Sequence, residues 1–127
     1  MSNQGVIKEG VKKRILLVEN YPDMRDLITR ILEEFDIIPV TTKAEAIKQT
    51  RTSRFALVIL QFHLPDGTGE ELCKHIRSFD RQTPVLFVTG ARSFSEKKAR
   101  SAGAQGILRK DCRTLSEDLR LQTLQLV

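Results

Sequence analysis

The sequence lacks several residue types and patterns, and these absences narrow what the chain can be. It has no tryptophan, one tyrosine and six phenylalanines among 127 residues, so few aromatic rings are available to stack on a cofactor. Its only cysteines, Cys73 and Cys112, lie far apart and match no metal-ligand spacing. We interpret them as reduced thiols, which are typical of a cytoplasmic protein.

Long hydrophobic runs are also missing. Stretches such as 56–60 are much shorter than the ~20 residues that a membrane helix needs, and the polar N-terminus has no signal-peptide core. The sequence therefore predicts no membrane association and no secretion. What remains is 40% hydrophobic and 29% charged residues, a composition and length that favour one globular domain.

The chain carries a net positive charge, but the sequence does not indicate that this charge lies on one face. The formal net charge is +5, and basic residues concentrate at positions 8–14 and 92–110. Positive charge indicates nucleic-acid binding only when it lies on one face or accompanies a recognition motif. The sequence has no such motif, so we do not expect nucleic acid as a partner.

Apolar and amphipathic segments alternate along most of the chain. Residues 1–13 are polar and predict a disordered N-terminal segment, whereas 14–127 predict one domain. Within it, five short apolar runs alternate with five helical patterns, which favours a parallel sheet covered on both faces. The runs lie at 15–18, 37–40, 56–60, 85–88 and 107–108.

Four helix starts carry the same local pattern, a Thr or Ser followed three residues later by Glu. This spacing allows the two side chains to bind each other's backbone amides as a capping box. The pairs are Thr42 with Glu45, Thr68 with Glu71, Ser93 with Glu96 and Thr114 with Glu117.

Pro39 indicates the order of the strands. Proline cannot donate to a sheet ladder and is tolerated mainly at sheet edges, so the second strand should be an edge strand. This predicts a flavodoxin-like doubly wound sheet of five βα units with strand order 2-1-3-4-5. Such a sheet forms its site at the carboxyl ends of strands one and three. Five residues should therefore surround one pocket, namely Glu19, Asn20, Gln61, Thr89 and Lys110.

Four segments resemble the receiver domain of two-component response regulators. Segment 14–25, RILLVENYPDMR, is similar to the first strand and acidic-pair loop, and 57–67, LVILQFHLPDG, to the strand that ends in the phosphoacceptor. Segment 84–90, PVLFVTG, resembles the strand that ends in a hydroxyl residue, and 103–110, GAQGILRK, the strand that ends in the site lysine. The resemblance covers about 14–126.

The resemblance implies a site that has lost most of its acidic residues. Receivers use an acidic pair and a phosphoacceptor Asp to hold Mg²⁺ and to accept a phosphoryl group. Here the acidic-pair positions are Glu19 and Asn20, and the phosphoacceptor position is Gln61. An amide has no anionic oxygen to attack a phosphoryl donor, and Mg²⁺ prefers anionic oxygen ligands. We expect no cofactor, with Mg²⁺ binding weak or absent.

Two further site positions are retained and one is changed. Thr89 and Lys110 match the receiver residues that contact the phosphoryl group. We interpret them as structural, with Lys110 contacting Glu19 or Gln61. Ile107 stands where receivers usually carry the switch aromatic, and it lacks the polar tip and the two rotamers of that residue.

The leading hypothesis is a pseudo-receiver, a signalling module that is not an enzyme and cannot be phosphorylated. It would act through protein partners, such as a histidine kinase or another regulator, in a two-component or phosphorelay pathway. One alternative is a receiver still regulated by metal or modification at Glu19, Asp66 or His63. A flavodoxin-like cofactor binder is a weaker alternative, because the loop after the first strand has no Gly-rich phosphate cradle.

The resemblance also implies a partner surface. Receivers commonly pair through the fourth helix, fifth strand and fifth helix, so we expect a protein partner or a homodimer there. Basic and acidic side chains in this region offer complementary charge. They are Lys97, Lys98, Arg100, Arg109, Glu117 and Asp118.

Overall fold

A computed structural model describes residues 11–127. The predicted disordered segment 1–13 therefore falls mostly outside the described residues. Residues 11–13 are exposed and lead directly into the first strand at Arg14, which is where the sequence predicts that the domain begins.

A five-stranded parallel sheet forms the centre of the domain. Its strands are β1 (Arg14–Val18), β2 (Asp36–Val40), β3 (Leu57–Leu60), β6 (Val85–Thr89) and β7 (Gly106–Arg109). Two short strands, β4 (His63–Leu64) and β5 (Gly67–Thr68), form a separate antiparallel pair. The order across the main sheet is β2-β1-β3-β6-β7, which confirms the predicted 2-1-3-4-5 because β6 and β7 are its fourth and fifth strands.

Four helices connect the strands of the main sheet, and a fifth follows the last strand. They are α1 (Pro22–Ile31), α2 (Lys43–Thr52), α3 (Gly69–Arg77), α4 (Glu96–Ala102) and α5 (Leu115–Leu126). Within the part of the chain that the structure describes, none of them is both long enough and apolar enough to cross a membrane.

Pro39 lies on an edge strand, as predicted. β2 pairs only with β1, and Pro39 is opposite Leu17 in this parallel register. The missing amide donor of the proline therefore interrupts no ladder on the outer side of β2. The interior strands β3 and β6 are wholly buried, in agreement with their continuous apolar sequences.

Alternating strand side chains divide the core into two layers. Leu16, Val58 and Phe87 point to one face, where α2, α3 and α4 cover them. Leu17 and Ile59 point to the other face, where α1 and α5 pack. Because successive strand residues face opposite sides, each interior strand contributes to both layers and must be apolar throughout.

One of the four predicted capping boxes forms completely, and a second forms in part. Thr68 and Glu71 make both reciprocal bonds at the start of α3, which confirms that prediction. Thr42 accepts a bond from the Glu45 amide at 3.1 Å. The Glu45 carboxylate, however, accepts from the amide of Thr41 rather than that of Thr42, so this second box is displaced by one residue.

The other two predicted boxes are wrong. α4 begins after Ser95, not Ser93, because residues 91–94 form a turn in which the Phe94 amide donates to the Ala91 carbonyl at 3.2 Å. Thr114 does precede α5, but its backbone is not extended and its side chain makes no cap bond. An extended cap residue is needed to aim the hydroxyl at the third helical amide.

Gly69 is required by a close approach of α3 to β3. A Cβ at this position would contact the backbone carbonyl oxygen of Gln61 and would lie 2.9 Å from Phe87 Cε1. A backbone atom cannot move aside as a flexible side chain can. We therefore expect Gly69→Ala to lower the free energy of unfolding by ~1–3 kcal/mol in urea denaturation.

The matched control is Gly90→Ala. A Cβ there meets nothing within 4 Å, so its effect should stay within ~0.5 kcal/mol. Equal stability of the two variants would contradict the packing described at Gly69.

Candidate functional site

Four strand ends bring polar side chains together at the carboxyl edge of the sheet. Glu19 follows β1, Gln61 follows β3, Thr89 ends β6 and Lys110 follows β7. Hydrogen bonds and an ion pair join these four side chains. The structure thus assembles them as the strand order predicts, with Asn20 next to Glu19 in the chain.

A buried ion pair lies at the centre of this site. Lys110 Nζ is 2.7 Å from Glu19 Oε1, and the side chains are only 14% and 1% exposed. The contact predicted between these residues is therefore present. The other oxygen, Glu19 Oε2, accepts from the backbone amide of Tyr21 at 3.0 Å. Both carboxylate oxygens are satisfied, as a buried charge requires.

The amide of Gln61 is hydrogen-bonded at both ends. Its Nε2 donates to Glu19 Oε2 over a long 3.4 Å. Its Oε1 accepts from the amide of Phe62 and from the hydroxyl of Thr89, each at 2.9 Å. The side chain is buried, and these bonds hold it in one orientation between β1 and β6.

Thr89 extends this network toward α4. Its hydroxyl donates to Gln61 and accepts from the amide of Ala91 at 3.1 Å. A hydroxyl can serve as donor and acceptor at once, so Thr89 joins the site to the loop that follows β6.

Arg109 holds the same loop from the other side. Its two terminal nitrogens donate to the carbonyls of Ala91 and Phe94, each at 2.7 Å. The residue is only half-exposed. This differs from its predicted role on the partner surface, because the guanidinium donors are directed into the domain. Sequence pattern alone could not reveal it, since the acceptors are backbone atoms of a distant loop.

Tyr21 is a further residue of the site, although no motif in the sequence indicates it. Its ring centroid lies 5.0 Å from Lys110 Nζ, within the range of a cation–π contact. The residue remains 55% exposed. Its position directly after Glu19 and Asn20, and before the first-turn Pro22, is the sequence feature from which its place at the site could have been predicted.

The residues at the site do not fit Mg²⁺. Glu19 is the only carboxylate among the predicted pocket residues, and its oxygens already contact Lys110, Tyr21 and Gln61. The Asn20 amide oxygen is buried, with no hydrogen-bond partner among the described residues. A single neutral acceptor beside a compensated carboxylate does not make the anionic octahedral site that Mg²⁺ prefers.

Asp66 has a structural partner of its own. Its carboxylate oxygens accept from the amides of Lys43 and Ala44 at 2.7 and 3.0 Å, so it caps the start of α2. Desolvation alone would raise the pKa of Asp66, but these amide bonds outweigh it and lower the pKa below its usual value.

His63 and the cysteines form no metal site. His63 is exposed on β4, and its ring meets the edge of Phe62 with centroids 4.9 Å apart. Cys73 and Cys112 are both free, and burial raises the pKa of the Cys73 thiol to about 11. Across residues 11–127, no three His, Cys, Asp or Glu side chains converge as metal ligands would.

The remaining residues of the predicted partner surface differ in exposure and in whether they already have partners within the domain. Lys97, Lys98 and Glu117 are exposed. Arg100 is exposed but forms an ion pair with Glu96 at 3.0 Å, and Asp118 accepts from the Thr114 hydroxyl at 2.8 Å. Ile107, predicted to lie at the switch position, is half-buried and packs on the core.

A family comparison agrees with this arrangement. Residues 15–120 match the model of the response regulator receiver domain. The chain belongs to the response regulator receiver family. This confirms the resemblance at the level of the family.

Curated relatives of this receiver domain are longer proteins. It is 32% identical over 92 residues to the phosphate regulon transcriptional regulatory protein PhoB of Escherichia coli, covering 69% of the chain and 40% of PhoB. It is 31% identical over 104 residues to the response regulator PilR of Pseudomonas aeruginosa, covering 78% of the chain and 23% of PilR. The sensor histidine kinase AruS of that organism matches over 106 residues at 31% identity, 78% of the chain and 11% of AruS. The chain thus spans less than half of each.

Solved receiver domains share the fold. The response regulator TrrA of Thermotoga maritima, crystallised with Mg²⁺ and BeF, is 25% identical with a TM-score of 0.81, over 91% of this chain and 99% of TrrA. A receiver domain protein of Methanospirillum hungatei is 24% identical with a TM-score of 0.77, and the match covers 91% of this chain and 97% of the Methanospirillum chain. These similarities confirm the α/β architecture.

Breaking the buried ion pair should be costly. Lys110→Met leaves the Glu19 carboxylate buried without a counter-charge, and we expect a loss of ~3–5 kcal/mol in the free energy of unfolding. Adding Glu19→Gln should recover part of that loss, because the uncompensated charge is then removed. Urea denaturation of the two single variants and the double variant measures the coupling.

The control is Arg100→Met, which breaks the exposed ion pair with Glu96 and should cost less than ~1 kcal/mol. If Lys110→Met costs no more than Arg100→Met, the Lys110–Glu19 pair does not stabilise the fold as described.

Proposed function

We propose that this receiver domain is a pseudo-receiver, which signals by binding protein partners and does not accept a phosphoryl group. The observation that carries the proposal is Gln61, which follows β3 where the resemblance puts the phosphoacceptor. Acyl phosphate formation needs a carboxylate oxygen as nucleophile. The Gln61 oxygen is neutral, and its two hydrogen bonds from Phe62 and Thr89 hold it in place.

The partners of the retained residues support the same function. In receivers, residues matching Thr89 and Lys110 contact the phosphoryl group. Here Lys110 pairs with Glu19 and Thr89 donates to Gln61, so both have internal partners without a phosphoryl group. We infer that the site holds one arrangement, and that it serves the domain as a structural element without enzymatic turnover.

Two-component or phosphorelay signalling is the proposed setting. Related regions occur in a response regulator, in a transcriptional regulatory protein and in a sensor histidine kinase. A partner of this domain would accordingly be a histidine kinase, a regulator or another signalling protein. Because the site holds one arrangement, the affinity of the domain for that partner would not depend on phosphorylation.

The proposed partner surface consists of α4, β7 and α5. Lys97 and Lys98 project their charges from α4, and Glu117 lies exposed near the start of α5. None of the three forms an ion pair with another described residue. A symmetric dimer could place the basic part of one copy against the acidic part of the other.

A receiver regulated at another residue is the competing function. Of its candidate residues, Glu19 is buried and paired, and Asp66 caps α2. Only His63 is exposed with a side chain free of hydrogen bonds to other described residues. Modification at His63 is thus the form of this alternative that the geometry favours.

Acetyl phosphate with Mg²⁺ tests the proposed loss of phosphorylation. The wild-type domain should take up no phosphate and show no Mg²⁺-dependent change in melting temperature. Asn20→Asp with Gln61→Asp supplies three carboxylates together with Glu19. This double variant should lose ~1–3 kcal/mol of stability without metal, because like charges repel in a partly desolvated site. Mg²⁺ should then raise its melting temperature.

Gln61→Asn is the control, since it shortens the amide without adding charge. Phosphate uptake by the wild type would overturn the pseudo-receiver, and uptake at His63 would establish the competing function. If Mg²⁺ did not change the melting temperature of the double variant, the side chains at positions 19, 20 and 61 would not converge as a metal site requires.

Reversal of charge on α4 tests the partner surface. Lys97→Glu with Lys98→Glu should weaken self-association about tenfold or more in analytical ultracentrifugation, and added salt should weaken the wild-type dimer. The control, Arg30→Glu with Lys48→Glu, changes the net charge equally at exposed residues of α1 and α2. A monomer at all salt concentrations, or equal effects of the two double variants, would rule out the charged dimer.

A further inference from the structure

A cleft lies at the opposite edge of the sheet from Glu19 and Lys110. Its volume is about 580 Å³, within the range of small-molecule sites. It forms between the end of α2 and the loop that joins α3 to β6, which are the segments that precede β3 and β6. The side chains of Arg51, Arg54 and Phe79 line it, together with Asp80.

The cleft contains two arginines without carboxylate partners. Arg51 and Arg54 are exposed, and neither forms an ion pair with any residue in 11–127. Guanidinium groups bind phosphate through paired N–H donors. Two of them beside one cleft therefore favour an anionic ligand.

Asp80 does not compete for these arginines. One of its oxygens accepts from the amides of Gln82 and Thr83, at 2.9 and 3.1 Å, and the other accepts from the Thr83 hydroxyl at 2.6 Å. The carboxylate is thus used to shape the turn before β6. Its hydrogen bonds are complete without either arginine of the cleft.

Arg51 and Arg54 are the positively charged residues that line the cleft. The carboxyl end of α2 contributes about half a negative charge, and Asp80 contributes one. These negative groups offset part of the charge of the two arginines, so an anion would be held mainly by the paired N–H donors of the guanidinium groups.

Phe79 adds an aromatic surface. Phe79 is 36% exposed, and the Arg51 guanidinium lies 4.3 Å from the centroid of its ring. The cation–π contact holds two flat groups together at the wall of the cleft. Bases bind to such aromatic and guanidinium planes by stacking, and a lone phosphate would leave most of the cleft volume unused.

We propose that this cleft binds a nucleotide, with its phosphates paired to Arg51 and Arg54 and its base packed against Phe79. The site goes beyond the proposed partner binding, because it uses none of the residues at the carboxyl edge of the sheet. The domain would thus have a small-molecule input that is independent of Gln61.

Calorimetric titration of the full chain tests this site with ATP, GTP, pyrophosphate and adenosine as probes. At least one nucleotide should bind saturably and more tightly than pyrophosphate or adenosine. Arg51→Gln with Arg54→Gln should weaken nucleotide binding at least about tenfold. Phe79→Leu should weaken nucleotide binding and leave pyrophosphate binding unchanged.

The matched control is Arg30→Gln with Arg113→Gln, which removes the same charge from exposed arginines elsewhere and should change affinity less than about twofold. Amide NMR shifts on nucleotide addition should be confined to 50–54 and 79–83. The proposal would be overturned if neither nucleotide saturated the protein, or if pyrophosphate bound as tightly as ATP and GTP. It would also be overturned if the control variant lost as much nucleotide affinity as the Arg51 and Arg54 variant. A hexaglutamate peptide that bound more tightly than the nucleotide and displaced it would contradict the proposal as well.

Discussion

A carboxylate that is buried needs a positive partner, and the carboxyl edge of this sheet is arranged around that need. Glu19 is 1% exposed, and Lys110 reaches it from the end of β7 to form the ion pair. Leaving either charge unpaired in the interior would cost several kcal/mol. The two residues come from opposite ends of the chain, so their contact depends on the order and register of β1, β3, β6 and β7.

The neutral amide of Gln61 adapts to this pair. It donates to Glu19 on one side and accepts from Thr89 on the other, and Thr89 in turn binds the loop that Arg109 holds. The hydrogen bonds therefore run continuously from β1 to the loop before α4. In the proposed pseudo-receiver, this continuity keeps the partner surface in one form.

The two edges of the sheet have opposite characters. At the carboxyl edge, the charges of Glu19 and Lys110 are paired and buried, which leaves little capacity for a further ligand. At the amino edge, Arg51 and Arg54 are exposed beside an open cleft. Receiver sites form at carboxyl edges because the topology gathers loops there, so the amino-edge cleft is a feature that family resemblance does not predict.

Features that depend on residues close together in the chain, or on the order of the strands, could be predicted from the sequence. The alternation of apolar runs with helical patterns indicated a parallel sheet, and Pro39 indicated its edge strand. Together they predicted the strand order that brings the site residues to one edge. The Thr68 capping box formed because its atoms are three residues apart. Tertiary structure alone decided the start of α4 after Ser95, the engagement of Arg109 and the capping role of Asp66. Each depends on a turn or on acceptors and donors from another loop, whose positions exist only once the sheet has formed.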